Sequence, residues 1–254
     1  MNILKADLFY MLRDKTIRVL FILAAFLPIL SAVLAYKFSG SIGVTFEGIA
    51  VQSESADIMG ALLGIGMASF FGHDFANNTI RNKICYGETR TKVTLLSFFE
   101  SAMITILMIA VSLGFSYIAT SFAGNMELGS EFWEKYLCQA GILLSFSFVI
   151  TALTLCTQNS KPGIFTTLIM TVFVGAAAQM LPLLAKRVEW ARYVSRCLYL
   201  SVSNMLMKSS EGIYTASEGL TYDKIYLNAL LIFAVYSIAS VVLTLIVVRK
   251  QSYK

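Results

Sequence analysis

The chain has 254 residues, of which 57% are hydrophobic and only 14% are charged, and its mean hydropathy is +0.72. A soluble domain carries about a quarter charged residues because its surface must meet water, so this composition excludes an ordinary soluble protein and predicts that a bilayer solvates much of the chain. The net charge is +5, and the basic residues lie beside hydrophobic segments rather than on one amphipathic face. This distribution favours the positive-inside pattern of membrane proteins over nucleic-acid binding.

The chain opens with an amphipathic stretch, Asn2–Asp14, in which apolar residues are interspersed with polar ones. This pattern predicts an interfacial helix that leads into the membrane. The first apolar block, 17–36, is too long for the hydrophobic core of a cleavable signal peptide. We therefore expect it to remain as a membrane span with Pro28 inside it.

Further apolar stretches come close to the roughly 20 residues that cross about 30 Å of hydrocarbon. They are 56–72, 93–122, 137–156, 163–185 and 225–248. Together with 17–36 they predict an all-α polytopic bundle of about six transmembrane helices, forming a single transmembrane domain over 1–254. The stretch 56–72 is rich in small residues, including Gly60 and Gly64, as is typical of close helix packing. Packing within one subunit and a contact between two copies are both compatible with this pattern.

The distribution of basic residues predicts the orientation. Lysine and arginine concentrate before the first span, in the loop 73–92 and after the last span, whereas the loops 37–55 and 123–136 hold one each, Lys37 and Lys135. The opposite segment 186–224 holds six, but long translocated segments count little toward this rule. An even number of spans then places both termini in the cytoplasm.

The long segment 186–224 falls on the outer side in this topology. Aromatic, aliphatic and basic residues alternate within it. This pattern favours an amphipathic or re-entrant segment at the outer interface, and an ordinary folded outer loop is the alternative.

The loop 73–92 is the most polar cytoplasmic segment and has helical periodicity. Ala76, Ile80 and Ile84 recur at four-residue spacing, which predicts one apolar face of a short helix. Gly87 is expected to end that helix in a left-handed cap. The residues expected to cap the following span are Thr89 or Thr91. A short amphipathic helix tied to two membrane helices is shaped to dock into a groove on a partner, and a plain basic loop is the alternative.

A string of residues from the end of the second predicted span through this loop carries a family resemblance. It contains an aromatic residue and an acid, an Asn-Thr pair, an aliphatic-basic helix and a turn ending in Thr-Arg. The residues are Phe71, Asp74, Asn78, Thr79, Ile80, Arg81, Lys83, Ile84, Gly87, Thr89 and Arg90. The pattern resembles the permease subunits of ABC type-2 exporters, which include small bacterial antibiotic-resistance, lantibiotic-immunity and peptide-export permeases. Asn78 departs from the glycine usual in that family, although asparagine also tolerates left-handed backbone.

The resemblance implies a permease subunit of an ATP-driven exporter in the bacterial cytoplasmic membrane, moving a hydrophobic or amphipathic cargo such as a peptide, an antibiotic or a lipid-like molecule. In that family the loop is a coupling helix seated on a separate ATPase subunit. The residues implied to meet the ATPase subunit through apolar contacts are Phe75, Thr79, Ile80 and Ile84, and those implied to make polar contacts are Asp74, Asn78, Arg81, Lys83 and Arg90. Two ATPase subunits that bind Mg-ATP, and a second permease copy or a homologous permease, would complete the assembly.

The sequence contains no GxxxxGK[ST] phosphate-binding loop, so ATP hydrolysis is expected on a separate polypeptide, with no cofactor on this chain. It also contains no HExxH or GxSxG motif and no CxxC pair, and His73 is the single histidine. We therefore expect neither catalytic residues nor a metal site. An ATP-independent channel, a secondary transporter and a structural membrane-assembly subunit are the alternatives.

Glu100 is the clearest ionisable residue inside a predicted span. Carboxylates within a membrane are costly and often functional. A structural role, with hydrogen bonds from Ser97, Ser101 or a neighbouring helix, and a functional role in transport are both compatible with its position.

Overall fold

The computed structural model describes residues 9–42, 48–123, 130–174, 188, 190 and 222–250. The regular elements within these ranges are helices. Their bounds are α1 Lys15–Ile42, α2 Gly48–Ala76, α3 Thr79–Cys85, α4 Arg90–Ala123, α5 Ser130–Thr157, α6 Ser160–Ile169 and α7 Tyr222–Lys250. A π-helical turn, Met170–Val174, follows α6 directly.

Four helices of the described ranges are long and apolar enough to cross a bilayer. The segments concerned are Ile58–Ala76 in α2, Arg90–Ala119 in α4, Tyr136–Thr157 in α5 and Ala229–Lys250 in α7. The four helices contain the predicted spans 56–72, 93–122, 137–156 and 225–248. The helical fold predicted for these stretches is thereby confirmed, and the four helices are consistent with a helical membrane bundle.

Of the other two predicted spans, the structure describes one completely and the other only in part. The helix α1 covers the whole of 17–36 and runs without a break through Pro28. Of the predicted span 163–185, the described part ends at Val174, and the rest lies outside the described residues. A full count of about six crossings therefore stays a prediction.

The outer segment 186–224 lies outside the described residues, apart from Val188, Trp190 and the start of α7. Its amphipathic or re-entrant form stays a prediction, as does the cytoplasmic location of the two termini.

The N-terminal stretch is described from residue 9, and residues 9–13 are helical. Met11 is buried in the bundle, whereas Phe9 and Leu12 are exposed. The side chain of Asp14 then caps α1, because its Oδ1 accepts a hydrogen bond of 2.7 Å from the backbone N–H of Thr16. The amphipathic character predicted for this stretch is thus present in its described part.

The bundle is built around α2. Of the residues in its membrane span, 61% are buried, against 22% in the span of α7. The main hydrophobic core joins side chains that precede or belong to α1 with others from α2, α4 and α5. Its buried members are Met11, Ile17, Leu20, Ala24, Met59, Leu63, Met67, Ala68, Phe70, Phe71, Ile104, Met108, Leu143, Phe146 and Ile150.

Small residues on α2 allow its neighbours to come close. A Cβ atom added to Gly64 would lie 2.4 Å from Thr167 Oγ1 on α6, and one added to Gly72 would lie 2.3 Å from Ser160 Cβ at the start of α6. Gly64 and Gly72 are therefore contact points between helices of one chain. Of the two interpretations of the small-residue stretch, these contacts favour packing within one subunit.

Hydroxyl side chains connect α4 to α5 inside the bundle. Ser101 Oγ donates a hydrogen bond of 3.3 Å to Ser147 Oγ, and Thr151 Oγ1 donates one of 3.0 Å to Ser101 Oγ. All three residues are buried. Such bonds between helices take the place of the hydrophobic driving force that is missing between two apolar surfaces in lipid.

Candidate functional site at the connection between α2 and α4

The helix predicted with Ala76, Ile80 and Ile84 on one face is divided between two elements in the structure. Ala76 is the last residue of α2, and α3 begins only at Thr79. The chain turns at Asn78, whose φ of 56° and ψ of 20° lie in the left-handed region, which asparagine tolerates better than most residues. The assignment of Ala76 to the short helix was therefore wrong, whereas the backbone at Asn78 is of the kind that glycine would also adopt.

The end of α3 is the cap that the sequence predicts at Gly87. This residue has φ of 96°, and its N–H donates a hydrogen bond of 3.0 Å to the carbonyl of Ile84. The N–H of Glu88 donates to the carbonyl of Lys83 at 3.3 Å. These two bonds form a Schellman motif, which satisfies the last carbonyls of the helix and defines the direction in which the chain leaves it.

Thr89, rather than Thr91, caps the start of α4. Its Oγ1 accepts a hydrogen bond of 3.3 Å from the N–H of Lys92. Lys92 Nζ also lies 2.7 Å from Glu88 Oε2, but the lysine side chain is exposed, and ion pairs of this kind contribute about 0–1 kcal/mol. Caps on both sides thus define the short link between α3 and α4.

The apolar residues of α3 face the interior of their own chain. Ile80 is only 2% exposed and packs on buried residues of α4 and α5. The buried residues of this cluster are Ile80, Val93, Phe98, Ala152 and Leu155, and Phe75, Ile84, Phe148 and Val241 pack against them. Phe75, Ile80 and Ile84 were expected to dock on a partner. In the structure Ile80 is buried against the bundle, whereas Phe75, on α2, and Ile84 are half-buried and pack against the same cluster. A contact of Phe75 and Ile84 with a partner stays a prediction.

The opposite side of α3 is exposed, and we call it the outer face. It consists of Asn78, Arg81, Asn82, Cys85 and Tyr86, of which Tyr86 is 90% exposed. Arg90, at the start of α4, is also exposed, and Thr79 is half-buried. Of the predicted contact residues, Asn78, Arg81 and Arg90 are therefore accessible to a partner.

Tyr86 is the exposed residue that the sequence analysis missed. A large aromatic side chain is an effective anchor at protein interfaces because it buries much apolar area and retains a polar hydroxyl. The signal for it was present in the sequence, since Tyr86 falls outside the four-residue apolar repeat that ends at Ile84.

Three charged residues lie on the inner side of α3. Asp74 on α2 is 3% exposed and Glu100 on α4 is 5% exposed. Lys83, on α3, places its Nζ 4.0 Å from Glu100 Oε1. Asp74 and Lys83 were expected to contact a partner. Asp74 is buried within the fold, whereas Lys83 is half-buried, so its contact with a partner stays a prediction. Charges at such depth require compensation from neighbouring charges or hydrogen bonds.

The two serines predicted as partners of Glu100 donate their hydrogen bonds to other groups. Ser97 donates its hydrogen bond to the carbonyl of Val93 at 3.2 Å, and Ser101 donates to Ser147. Lys83, on the neighbouring helix α3, forms an ion pair with Glu100, with its Nζ 4.0 Å from Oε1. A membrane carboxylate is thus connected to the short helix outside the span.

Tyr10, in the helical segment that precedes α1, extends this charged region. Burial, followed by the negative charges of Asp74 and Asp14, raises the pKa of Tyr10 above its usual value. Each of these influences disfavours the charged phenolate, whereas a side-chain hydrogen bond with Asn77 and then the positive charge of Lys83 lower the pKa of Tyr10. Tyr10 of the N-terminal segment therefore lies close enough to Asp74 on α2 and Lys83 on α3 to interact with the charges of both.

Within the described ranges, no group of three or more His, Cys, Asp or Glu side chains is placed to hold a metal ion. The region combines a short helix packed on the bundle, an exposed polar and aromatic face, and an ion pair between α3 and α4. Comparisons with protein-family models and with curated proteins find no match to this chain.

Proposed function

We propose that this chain is the membrane-spanning permease subunit of an ATP-driven exporter of the ABC type-2 class. The observation that carries the proposal is α3, a short capped helix held between two candidate membrane spans, with its apolar side on the bundle and its outer face free. If a second protein displaces a helix held in this way, the helix and the two adjoining spans can move together as a rigid body.

The outer face indicates the chemistry of the partner. It offers a cation at Arg81, an amide at Asn82 and the nearly fully exposed ring of Tyr86. A complementary surface would have an apolar pocket for the ring and carboxylates around it. In the proposed assembly this surface belongs to a separate ATPase subunit that carries Mg-ATP, with two copies beneath a pair of permeases. In this proposal the transported cargo is a hydrophobic or amphipathic molecule. The assembly is located in the bacterial cytoplasmic membrane.

The first experiment purifies the chain from its own membranes in detergent and identifies its partners by mass spectrometry. We expect a stoichiometric polypeptide with a GxxxxGK[ST] motif, and ATP hydrolysis by the reconstituted complex. Tyr86→Ala combined with Arg81→Ala should weaken this association about 10-fold or more, as the loss of interface anchors usually does. Lys161→Ala removes an exposed basic residue at the start of α6 and serves as the matched control, with unchanged association.

Recovery of the chain without any nucleotide-binding subunit would contradict the exporter proposal. Normal association of the Tyr86 and Arg81 double variant would instead contradict the assignment of the outer face and leave the exporter class standing.

A second candidate is an ATP-independent channel or secondary transporter. The buried hydroxyls of Ser101, Ser147 and Thr151, next in sequence or in space to the turn that carries Glu100, favour it, because polar groups in spans also line ion pathways. Ion or solute flux through the purified chain in liposomes without nucleotide would support this candidate. Absence of flux without ATP, together with flux in the reconstituted complex, would support the exporter.

A further inference from the structure

The ion pair between Lys83 and Glu100 joins a helix outside the span to a helix within it. Glu100 is 5% exposed near the start of α4. The Lys83 side chain is 16% exposed, and its Nζ lies 4.0 Å from Glu100 Oε1. In surroundings of low dielectric constant, an ion pair acts more strongly than at a surface. Lysine suits the position because its long apolar stem can follow the hydrophobic cluster while its charge reaches the carboxylate.

The ion pair between Lys83 and Glu100 is a different kind of contact from the others that hold α3. Ile80 holds one side of the helix through apolar packing, which resists separation but is not directional. The Schellman motif at Gly87 defines the end of the helix but leaves the angle of its axis to tertiary contacts. The ion pair adds an electrostatic contact between the last turn of α3 and α4, with Lys83 Nζ and Glu100 Oε1 4.0 Å apart, which is beyond hydrogen-bond distance.

We infer that Lys83 and Glu100 are a positioning pair that makes α3 and α4 move as one body. Displacement of the outer face then carries α4 with it, because separating the two helices would pull a cation away from a buried carboxylate. The inference deepens the proposed function and rests on it for the role in transport. The rigid attachment itself is a property of this chain and can be measured without any partner.

The first test measures the mobility of α3 directly. Cys85 is exposed on the outer face, so a spin label attached there reports the motion of the helix once Cys138, Cys156 and Cys197 are replaced by alanine. We expect a restricted spectrum for this parent in lipid nanodiscs. Lys83→Met and Glu100→Gln should each give a mobile spectrum.

A matched control breaks a neighbouring ion pair. Lys92→Met removes the exposed pair with Glu88 and should leave the spectrum at Cys85 restricted. Unchanged mobility in both the Lys83→Met and the Glu100→Gln proteins would overturn the inference. Glu100→Gln keeps the shape of the side chain, so the test survives if Lys83→Met does not fold.

The double variant Lys83→Met with Glu100→Gln separates positioning from stability. Removal of one member of a buried pair destabilises a protein more than removal of both, so the double variant should have a higher unfolding temperature than Lys83→Met alone. Its label at Cys85 should nevertheless remain mobile. Recovery of a restricted spectrum in the double variant would overturn the inference and leave the pair with a purely structural role.

The last measurement uses the complex with its ATPase subunit. The double variant should bind that subunit and hydrolyse ATP, while cargo transport per ATP falls about 10-fold, within the range typical of coupling between two sites. Undiminished transport per ATP would overturn the transmitting role. If no ATPase subunit exists, the proposed function fails, and the spin-label result still decides whether the pair positions α3.

Discussion

At the scale of the residue, the contrast between Ile80 and Tyr86 governs the interpretation of α3. Both are large side chains on one short segment, yet Ile80 is 2% exposed and Tyr86 is 90% exposed. Spacing alone identified Ile80 as part of an apolar stripe. It could not decide whether that stripe faces a partner or the chain's own bundle, since both arrangements bury the same side chains.

The two residues should differ sharply in their effect on stability. Ile80→Ala removes buried methyl groups from the cluster with Val93 and Phe98 and should lower the free energy of unfolding by about 2–4 kcal/mol. Tyr86→Ala should change it by less than about 0.5 kcal/mol, as substitutions at exposed sites usually do. Thermal unfolding of the purified chain, followed by intrinsic fluorescence in one detergent, measures both. Equal destabilisation by the two variants would contradict the orientation of α3 described here.

At the scale of the element, α3 is specified by its ends more than by its length. A helix of seven residues is marginal on its own, because nucleation costs more than so few hydrogen bonds return. Asn78 in left-handed backbone begins it, and the Schellman motif at Gly87 ends it. The C-terminal end was predicted from Gly87, because glycine favours the left-handed conformation of such a cap, whereas the prediction that Ala76 belongs to the short helix missed the start after Asn78.

Gly87 provides a test of the cap. An added Cβ would meet no atom within 4 Å, so Gly87→Ala acts through the backbone alone. With φ of 96°, the substitution should destabilise the chain by about 1–2 kcal/mol. Gly114→Ala is the matched control, because Gly114 lies inside α4 with equally open surroundings. It should raise stability by about 0.5–1 kcal/mol. Thermal unfolding in detergent distinguishes the two, and a neutral Gly87→Ala would count against the cap.

At the scale of the whole molecule, the central position of α2 explains its composition. Most of its span is buried, whereas α7 exposes an apolar face. Small residues stabilise a helix that packs against other helices because they allow close approach, whereas large apolar residues suit a helix whose surface contacts lipid. The shortness and glycine content of the stretch 56–72 therefore reflect its place in the bundle.

Gly72 tests this arrangement. A Cβ added there would lie 2.9 Å from the Cα of Ser160, which is backbone and cannot move aside cheaply. Gly72→Ala should force α2 and α6 apart and cost about 1–3 kcal/mol. Gly141→Ala is the control, because its Cβ would meet Phe233 at an ordinary 3.6 Å. Light scattering should show an unchanged oligomeric state for Gly72→Ala alongside its lower unfolding temperature. Dissociation of an oligomer without loss of stability would favour a contact between copies.

The sequence by itself determined the apolar, membrane-like character, the positions of four helices that are long and apolar enough to cross a bilayer, and the cap that ends α3 at Gly87. These features follow from local composition and from backbone preferences, which neighbouring residues specify. Only the tertiary structure decided which side of α3 is free, that Lys83 reaches Glu100 and that Asp74 is buried. Such contacts join residues far apart in the chain, and no local pattern encodes which helix lies against which. The physical reason is that the apolar stripe of α3 needs only some hydrophobic surface, and the fold supplies one from α4 and α5.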